Sequence, residues 1–147
     1  QLLDEFVSLR EANLVTLQVR EYFLGAGTGP RRLAITTDDI VYYTDYARGR
    51  LGRLDPATGQ TKDWMSPSGA RSQPYAIAAV GGIVWYVEGN TNPNMVVRFD
   101  PATETFQTWP IPSGGGVVRH MVAAPDGSLW LAGSEVDTIA KVDVRRR

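Results

Sequence analysis

Asp55-Pro56-Ala57-Thr58-Gly59 recurs as Asp100-Pro101-Ala102-Thr103-Glu104, 45 residues further along the chain. Each copy closes a second shared phrase, Arg53-Leu54-Asp55 in one and Arg98-Phe99-Asp100 in the other, and Lys141-Val142-Asp143 supplies a third. Before each phrase lies an apolar, aromatic stretch: Ile40-Val41-Tyr42-Tyr43, Ile83-Val84-Trp85-Tyr86 and Ser128-Leu129-Trp130-Leu131. Repeats of this length are found in propeller blades and in helical arrays.

The content of the unit decides between them. Short apolar or alternating runs are divided by Gly, Pro, Asp and Asn, the pattern of strands and turns. Past residue 20 there is no amphipathic segment of about ten residues or more, which a helical repeat needs. Strands are expected over 32–36, 40–45, 51–55 and 61–65, then over 76–80, 83–88, 96–100 and 105–109, and finally over 120–124, 129–133 and 139–144. Four antiparallel strands make one blade, so the chain reads as all-β, a β-propeller of three blades. The Asp-Pro-Ala-Thr-Gly stretch suits the turn between third and fourth strands. Asp can bond the backbone two residues on, Pro presets φ, and Gly accepts a positive φ.

The blades divide as 21–66, 67–112 and 113–147, the last without a fourth strand, after an extension over 1–20 in which 2–9 reads as a short helix. Residues 15–24 read as a strand without a blade, because Arg20-Glu21-Tyr22-Phe23 echoes the fourth strand Lys62-Asp63-Trp64-Met65. Closed propellers use roughly four to eight blades, and open ends leave strand edges unpaired. The chain, which begins at Gln1, is therefore expected to be part of a longer propeller or one half of a homodimeric six-bladed ring. In the ring, the stray strand of one copy would complete the third blade of the other.

Composition sets further limits. Fifteen Lys and Arg balance sixteen Asp and Glu in 147 residues, which gives no field for nucleic acid or an anionic membrane. The basic cluster at 145–147 reads as a frayed terminus. No apolar run approaches the ~20 residues of a membrane span. The absence of cysteine removes disulfides and thiolate metal sites and leaves the compartment open, cytoplasmic or secreted. There is no phosphate-binding glycine loop and no nucleophile elbow.

Over residues 20 to 144 the chain resembles the streptogramin B lyase-type propellers. Their phrase of an acidic-aromatic strand, a Gly-Pro approach, an aromatic strand and an Ile-Gly-Arg-like strand is matched here. The matching stretches are Glu21-Tyr22-Phe23-Leu24, Gly29-Pro30, Tyr42-Tyr43 and Leu51-Gly52-Arg53-Leu54. The resemblance implies a carbon–oxygen lyase that opens a cyclic ester by elimination, aided by Mg2+, with a base to take the proton beside the carbonyl. It places the family's two histidine positions on Tyr75 and His120, its first glutamate on Val118 and its second on Glu135. His120, the only histidine, is then the expected base, and Glu135 its orienting group or a metal ligand.

Other residues point to binding without catalysis. Tyr75, Arg119 and, in the first blade, Arg31 or Arg32 fall at the entries to innermost strands, where side chains reach the central channel. Arg, Tyr and His there suit a small anionic, aromatic or peptide-like ligand. Glu88, after the second aromatic strand, is a further ligand-binding candidate or a turn cap. Tyr42, Trp64, Trp85 and Trp130 read as packing between blades. The polar stretch 90–94 reads as a loop, and Gly114-Gly115-Gly116 as a blade-to-blade connection.

Overall fold

The structure, a computed structural model, describes residues 16–144; the helix expected over 2–9 lies outside the described residues. Eleven strands and no helix are found among them: β1 (Pro30–Ile35), β2 (Val41–Asp45), β3 (Arg50–Leu54), β4 (Thr61–Met65), β5 (Pro74–Val80), β6 (Ile83–Glu88), β7 (Met95–Asp100), β8 (Thr105–Pro110), β9 (Val117–Ala123), β10 (Leu129–Ser134) and β11 (Thr138–Val142). They form three antiparallel sheets in the orders β1-β2-β3-β4, β5-β6-β7-β8 and β11-β10-β9, with β11 at the edge of the third among the described residues. Each sheet is a blade, and the innermost strands β1, β5 and β9 lie side by side.

The repeated turn is built as its residues dictate. The Asp55 carboxylate accepts the Ala57 N–H at 2.9 Å, and the Gly59 N–H returns to the Asp55 carbonyl at 2.8 Å. Gly59 takes φ +76°, and Glu104 takes the same left-handed region at +54° in the second copy, without glycine's freedom. Its side chain reaches back to blade 1, where Lys62 Nζ lies 2.5 Å from Glu104 Oε1. That hydrogen bond, opposed by a little desolvation, holds the Glu104 carboxyl below the ordinary carboxylate range.

Two apolar seams join the three blades. Tyr42 and Leu51 of blade 1 meet Ile77, Tyr86, Val97 and Phe99 of blade 2 in the first. Trp85, Val87 and Val96 of blade 2 meet Val118, Met121 and Leu131 of blade 3 in the second. Each blade thus turns alternate side chains of its strands to opposite neighbours. Phe99 is the hub of the first seam, with ring centroids 4.7 Å from Trp64 and 4.8 Å from Phe106. Gly52 is required by a close approach, because a Cβ there would lie 2.0 Å from Cζ of Tyr43, its cross-strand partner.

Two features differ from the sequence reading. The strand expected over 15–24 is not formed in residues 16–24, because among the described residues no strand lies beside it to pair. The Tyr22 hydroxyl nonetheless donates to the Pro56 carbonyl at 3.1 Å, seating the segment against the outer turn of blade 1. The innermost strands also begin earlier than expected, at Pro30, Pro74 and Val117. Each contains a β-bulge near its start, which breaks the period-two alternation that marks a strand in sequence.

Candidate functional site

The bulges align the candidate residues. Pro30 pairs with Asp45 and Leu33 with Tyr43, so Arg31 and Arg32 together oppose Thr44. In blade 2, Pro74 pairs with Glu88 and Ile77 with Tyr86, leaving Tyr75 and Ala76 opposite Val87. In blade 3, Val118 pairs with Gly133 and Met121 with Leu131, leaving Arg119 and His120 opposite Ala132. Register therefore sets Arg31, Tyr75 and Arg119 at one level and Arg32, Ala76 and His120 at the next. Tyr75 and His120, which the resemblance treats as two versions of one position, stand one residue apart in this frame.

Thr44, fully buried, ties two bulges together. Its hydroxyl lies 2.7 Å from the Tyr75 carbonyl, and it accepts the Arg32 N–H at 3.2 Å. Beside it two tyrosine rings in edge contact are flanked by two guanidinium groups. The Arg31 guanidinium sits 4.4 Å from the Tyr46 ring centroid, and Tyr46 meets Tyr75 edge-on at 5.7 Å. The Tyr75 ring lies 5.8 Å from the Arg32 guanidinium, and Arg32 Nε donates to the Arg119 carbonyl at 3.2 Å. The side chains of Arg32 and Tyr75, proposed separately from sequence, thus meet, and Arg119 of the third blade joins them through its backbone carbonyl. Among the described residues none of Arg31, Arg32 and Arg119 is ion-paired; the blade 1 carboxylates Asp45 and Asp63 are held by Arg48 and Arg50. Tyr46 was not singled out in the sequence. Its signal is a departure from the repeat: it follows Asp45 where Gly89 follows Glu88.

Glu88 has a different place. Its carboxylate is fully buried and accepts from Ser66 Oγ at 2.5 Å, the Ser68 N–H at 2.9 Å and Ser68 Oγ at 2.5 Å. Ser66 Oγ also lies 2.7 Å from the Tyr86 hydroxyl. Burial pushes the Tyr86 phenol up strongly, opposed by this bond to Ser66. Glu88 is a latch on the connection from blade 1 to blade 2, which leads directly into Tyr75. Asp45 does the same one blade earlier. It accepts the Gly29 N–H at 3.0 Å, just before Arg31 and Arg32, and its hydrogen bond raises Arg48 above the ordinary guanidinium range. Blade 3 has Gly133 at this position. There the backbone closes in instead, and a Cβ on Gly116 would lie 2.2 Å from the Ser134 carbonyl oxygen.

His120 is exposed, and its counterpart Ala76 is fully buried in the second seam. Glu135 is exposed in the β10–β11 turn with φ +72°. Ser134 pairs with Val117, so the Glu135 backbone lies beyond the start of β9, on the order of 10 Å along the strand from His120. The two are not hydrogen-bonded. Among the described residues no group of three or more His, Cys, Asp or Glu is placed to hold a metal ion. Mg2+ seeks carboxylate and water oxygens, and the groups around the bulges are guanidinium and phenol, which do not fit it. The 90–94 loop is a clamp between blades: Asn94 Nδ2 donates to the Gly116 carbonyl at 2.7 Å.

No family model matches this chain, and no curated protein matches it in sequence. Solved structures do match. Virginiamycin B lyase from Staphylococcus aureus superposes with a TM-score of 0.73 at 22% identity, over 83% of this chain and 40% of that one. A catalytically inactive variant of it with quinupristin gives 0.67 at 22%, over 83% and 43%. Hydrazine synthase from Kuenenia stuttgartiensis gives 0.68 at 15%, over 88% and 36%. The likeness to streptogramin lyase-type propellers expected from sequence holds at the level of the fold, and enzymes of unrelated chemistry share it. The chain spans about two fifths of the length of the lyase structures.

Proposed function

We propose that this propeller unit binds a small anionic ligand with an aromatic or peptide-like body at the bulged starts of its innermost strands. The observation that carries this reading is the pair of guanidinium groups, Arg31 and Arg32, that lie against tyrosine rings and have no ion pair among the described residues. A carboxylate or phosphate would take hydrogen bonds from Arg31, Arg32 and Arg119, charge-assisted and well directed by the planar fork. Tyr46 and Tyr75 offer ring faces and edges to an aromatic body. Calorimetric titration with 4-hydroxybenzoate tests it. Binding is expected, with Arg32→Ala weakening it about tenfold or more. Arg98→Ala, whose side chain bonds Gln107 on the far strand, is expected to leave it unchanged. No measurable binding, or equal loss in both variants, overturns the reading.

A second reading is favoured by His120, which stands on the third bulge in a fold shared with virginiamycin B lyase. In it, His120 removes a carbon-bound proton beside a carbonyl while an ester C–O bond opens, with the Arg119 guanidinium near the developing negative charge. Ring opening of a cyclic depsipeptide ester, followed by chromatography, is the assay. His120→Ala is expected to abolish turnover while leaving the folded chain intact, since the residue is exposed. Undiminished turnover in His120→Ala, or none in the parent chain, removes the lyase reading.

A further inference from the structure

The blades repeat their backbone bonds around the site, so a side chain in one blade marks the same place in the next. The Tyr46 N–H donates to the Gly29 carbonyl at 3.0 Å, and the Gly89 N–H donates to the Gln73 carbonyl at 3.1 Å. Tyr46 and Gly89 are therefore the same position, one residue past the buried acids Asp45 and Glu88. In blade 1 this position carries a ring, held between the first bulge residue of its own blade and that of the next. The Arg31 guanidinium lies 4.4 Å from the ring centroid, and the Tyr75 ring 5.7 Å from it. One blade on, the two first bulge residues are Tyr75 and Arg119. Glycine supplies no ring between them.

The backbone at Gly89 does not require glycine. Gly89 is not among the residues with positive φ. Apart from its chain neighbours, a Cβ there would meet within 4 Å only the Gln73 carbonyl oxygen, at 3.3 Å. Gly52 and Gly116, by contrast, are required by approaches of 2.0 and 2.2 Å. The next side chain, Asn90, is engaged elsewhere, its amide donating to the Arg71 carbonyl at 2.9 Å. Arg32 reaches the same place from blade 1. Its Nε donates to the Arg119 carbonyl at 3.2 Å while its guanidinium stands 5.8 Å from the Tyr75 ring. No carboxylate among the described residues pairs with it.

We infer that the aromatic ring of the ligand takes the place at Gly89 that the Tyr46 ring takes in blade 1, between Tyr75 and Arg119. This deepens the ligand reading and rests on it. The ring meets Tyr75 edge-on or offset at about 4.5–7 Å between centroids, and lies within about 6 Å of the Arg119 guanidinium. Its acidic group faces Arg32, whose two Nη groups take a carboxylate by charge-assisted bonds. The chemical class is therefore an aryl carboxylate. A saturated ring of the same size offers Arg119 no quadrupole and is the poorer ligand.

Calorimetric titration of the full chain with 4-hydroxybenzoate and with cyclohexanecarboxylate tests it. The aryl acid is expected to bind several-fold more tightly than the saturated one. Gly89→Tyr fills the place with the chain's own ring and is expected to weaken 4-hydroxybenzoate about tenfold or more. Gly89→Ala, which adds only a Cβ, is expected to stay close to the parent value. Circular dichroism checks that both variants fold. Should Gly89→Tyr fail to fold, NMR on the labelled parent chain decides: nuclear Overhauser contacts from the ligand ring protons to the Gly89 Hα are expected. If Arg32→Ala weakens binding and folded Gly89→Tyr does not, the ligand reading stands and this placement is overturned. Ring contacts to Tyr46 with none to Gly89, or equal affinity for the two acids, also overturn the placement alone. No binding to the parent chain overturns both.

Discussion

Replacing Glu88 by alanine is expected to lower the unfolding free energy by about 3–5 kcal/mol, a large part of the ~5–15 kcal/mol that holds a domain of this size. The carboxylate is fully buried and is met by Ser66 Oγ, the Ser68 N–H and Ser68 Oγ. Truncation leaves these donors without their acceptor in a buried place, and each unsatisfied donor costs about 1–3 kcal/mol. The Tyr86 hydroxyl offsets part of the loss, since it already lies 2.7 Å from Ser66 Oγ. Glu88→Gln keeps shape and one acceptor oxygen and is expected to cost about 1–2 kcal/mol. Urea titration of the three proteins checks the order, with a lower midpoint at unchanged slope for both variants. A loss below about 1 kcal/mol for alanine would mean that the connection over 66–72 is held without its latch. The same experiment bears on the site, because this connection delivers the chain to Pro74 and Tyr75.

The blades were legible because their signals are local. Asp-Pro-Ala-Thr-Gly states its turn in five residues, and the strands at 61–65 and 83–88 are found with the bounds expected from sequence. The innermost strands were less legible at their starts. At Pro30, Pro74 and Val118 the bulge places two residues against one, and no residue type announces that. This single extra residue is also why the site could be read only in part. Arg32, Tyr75 and Arg119 could be placed near the channel from sequence, but their meeting depends on a side chain of blade 1 crossing to a carbonyl of blade 3. Glu88 illustrates the converse. An acid after an aromatic strand reads equally as ligand or latch, and only the serines 20 and 22 residues earlier in sequence distinguish the two. His120 and Glu135 were joined by analogy to a metal-assisted site, and the β9–β10 register sets their backbones well apart.

Phe99→Ala is expected to be the most damaging single truncation in the apolar seams, costing about 3–5 kcal/mol. The ring is fully buried and touches three others: Trp64 at 4.7 Å, Phe106 at 4.8 Å and Tyr42 at 6.2 Å between centroids. Two of these neighbours belong to blade 1 and one to blade 2, so the cavity opens in the seam itself. Strand pairing on both sides prevents its collapse. The control is Val142→Ala, the same position of the repeat in blade 3, where the residue is half-buried at the edge of an open groove. Fewer methylene groups leave a less buried place, and the cost is expected to be about 1 kcal/mol or less. The contrast separates two ideas of what stabilises a propeller unit. If blades were stable individually, the two substitutions would differ only by the number of carbons removed. If the seams hold the blades together, Phe99→Ala uncouples blades 1 and 2. Urea unfolding followed by tryptophan fluorescence would then split into two transitions, because Trp64 reports blade 1 while Trp85 and Trp109 report the far side of blade 2. A single cooperative transition with a loss near 1 kcal/mol would place the stability within the sheets rather than between them.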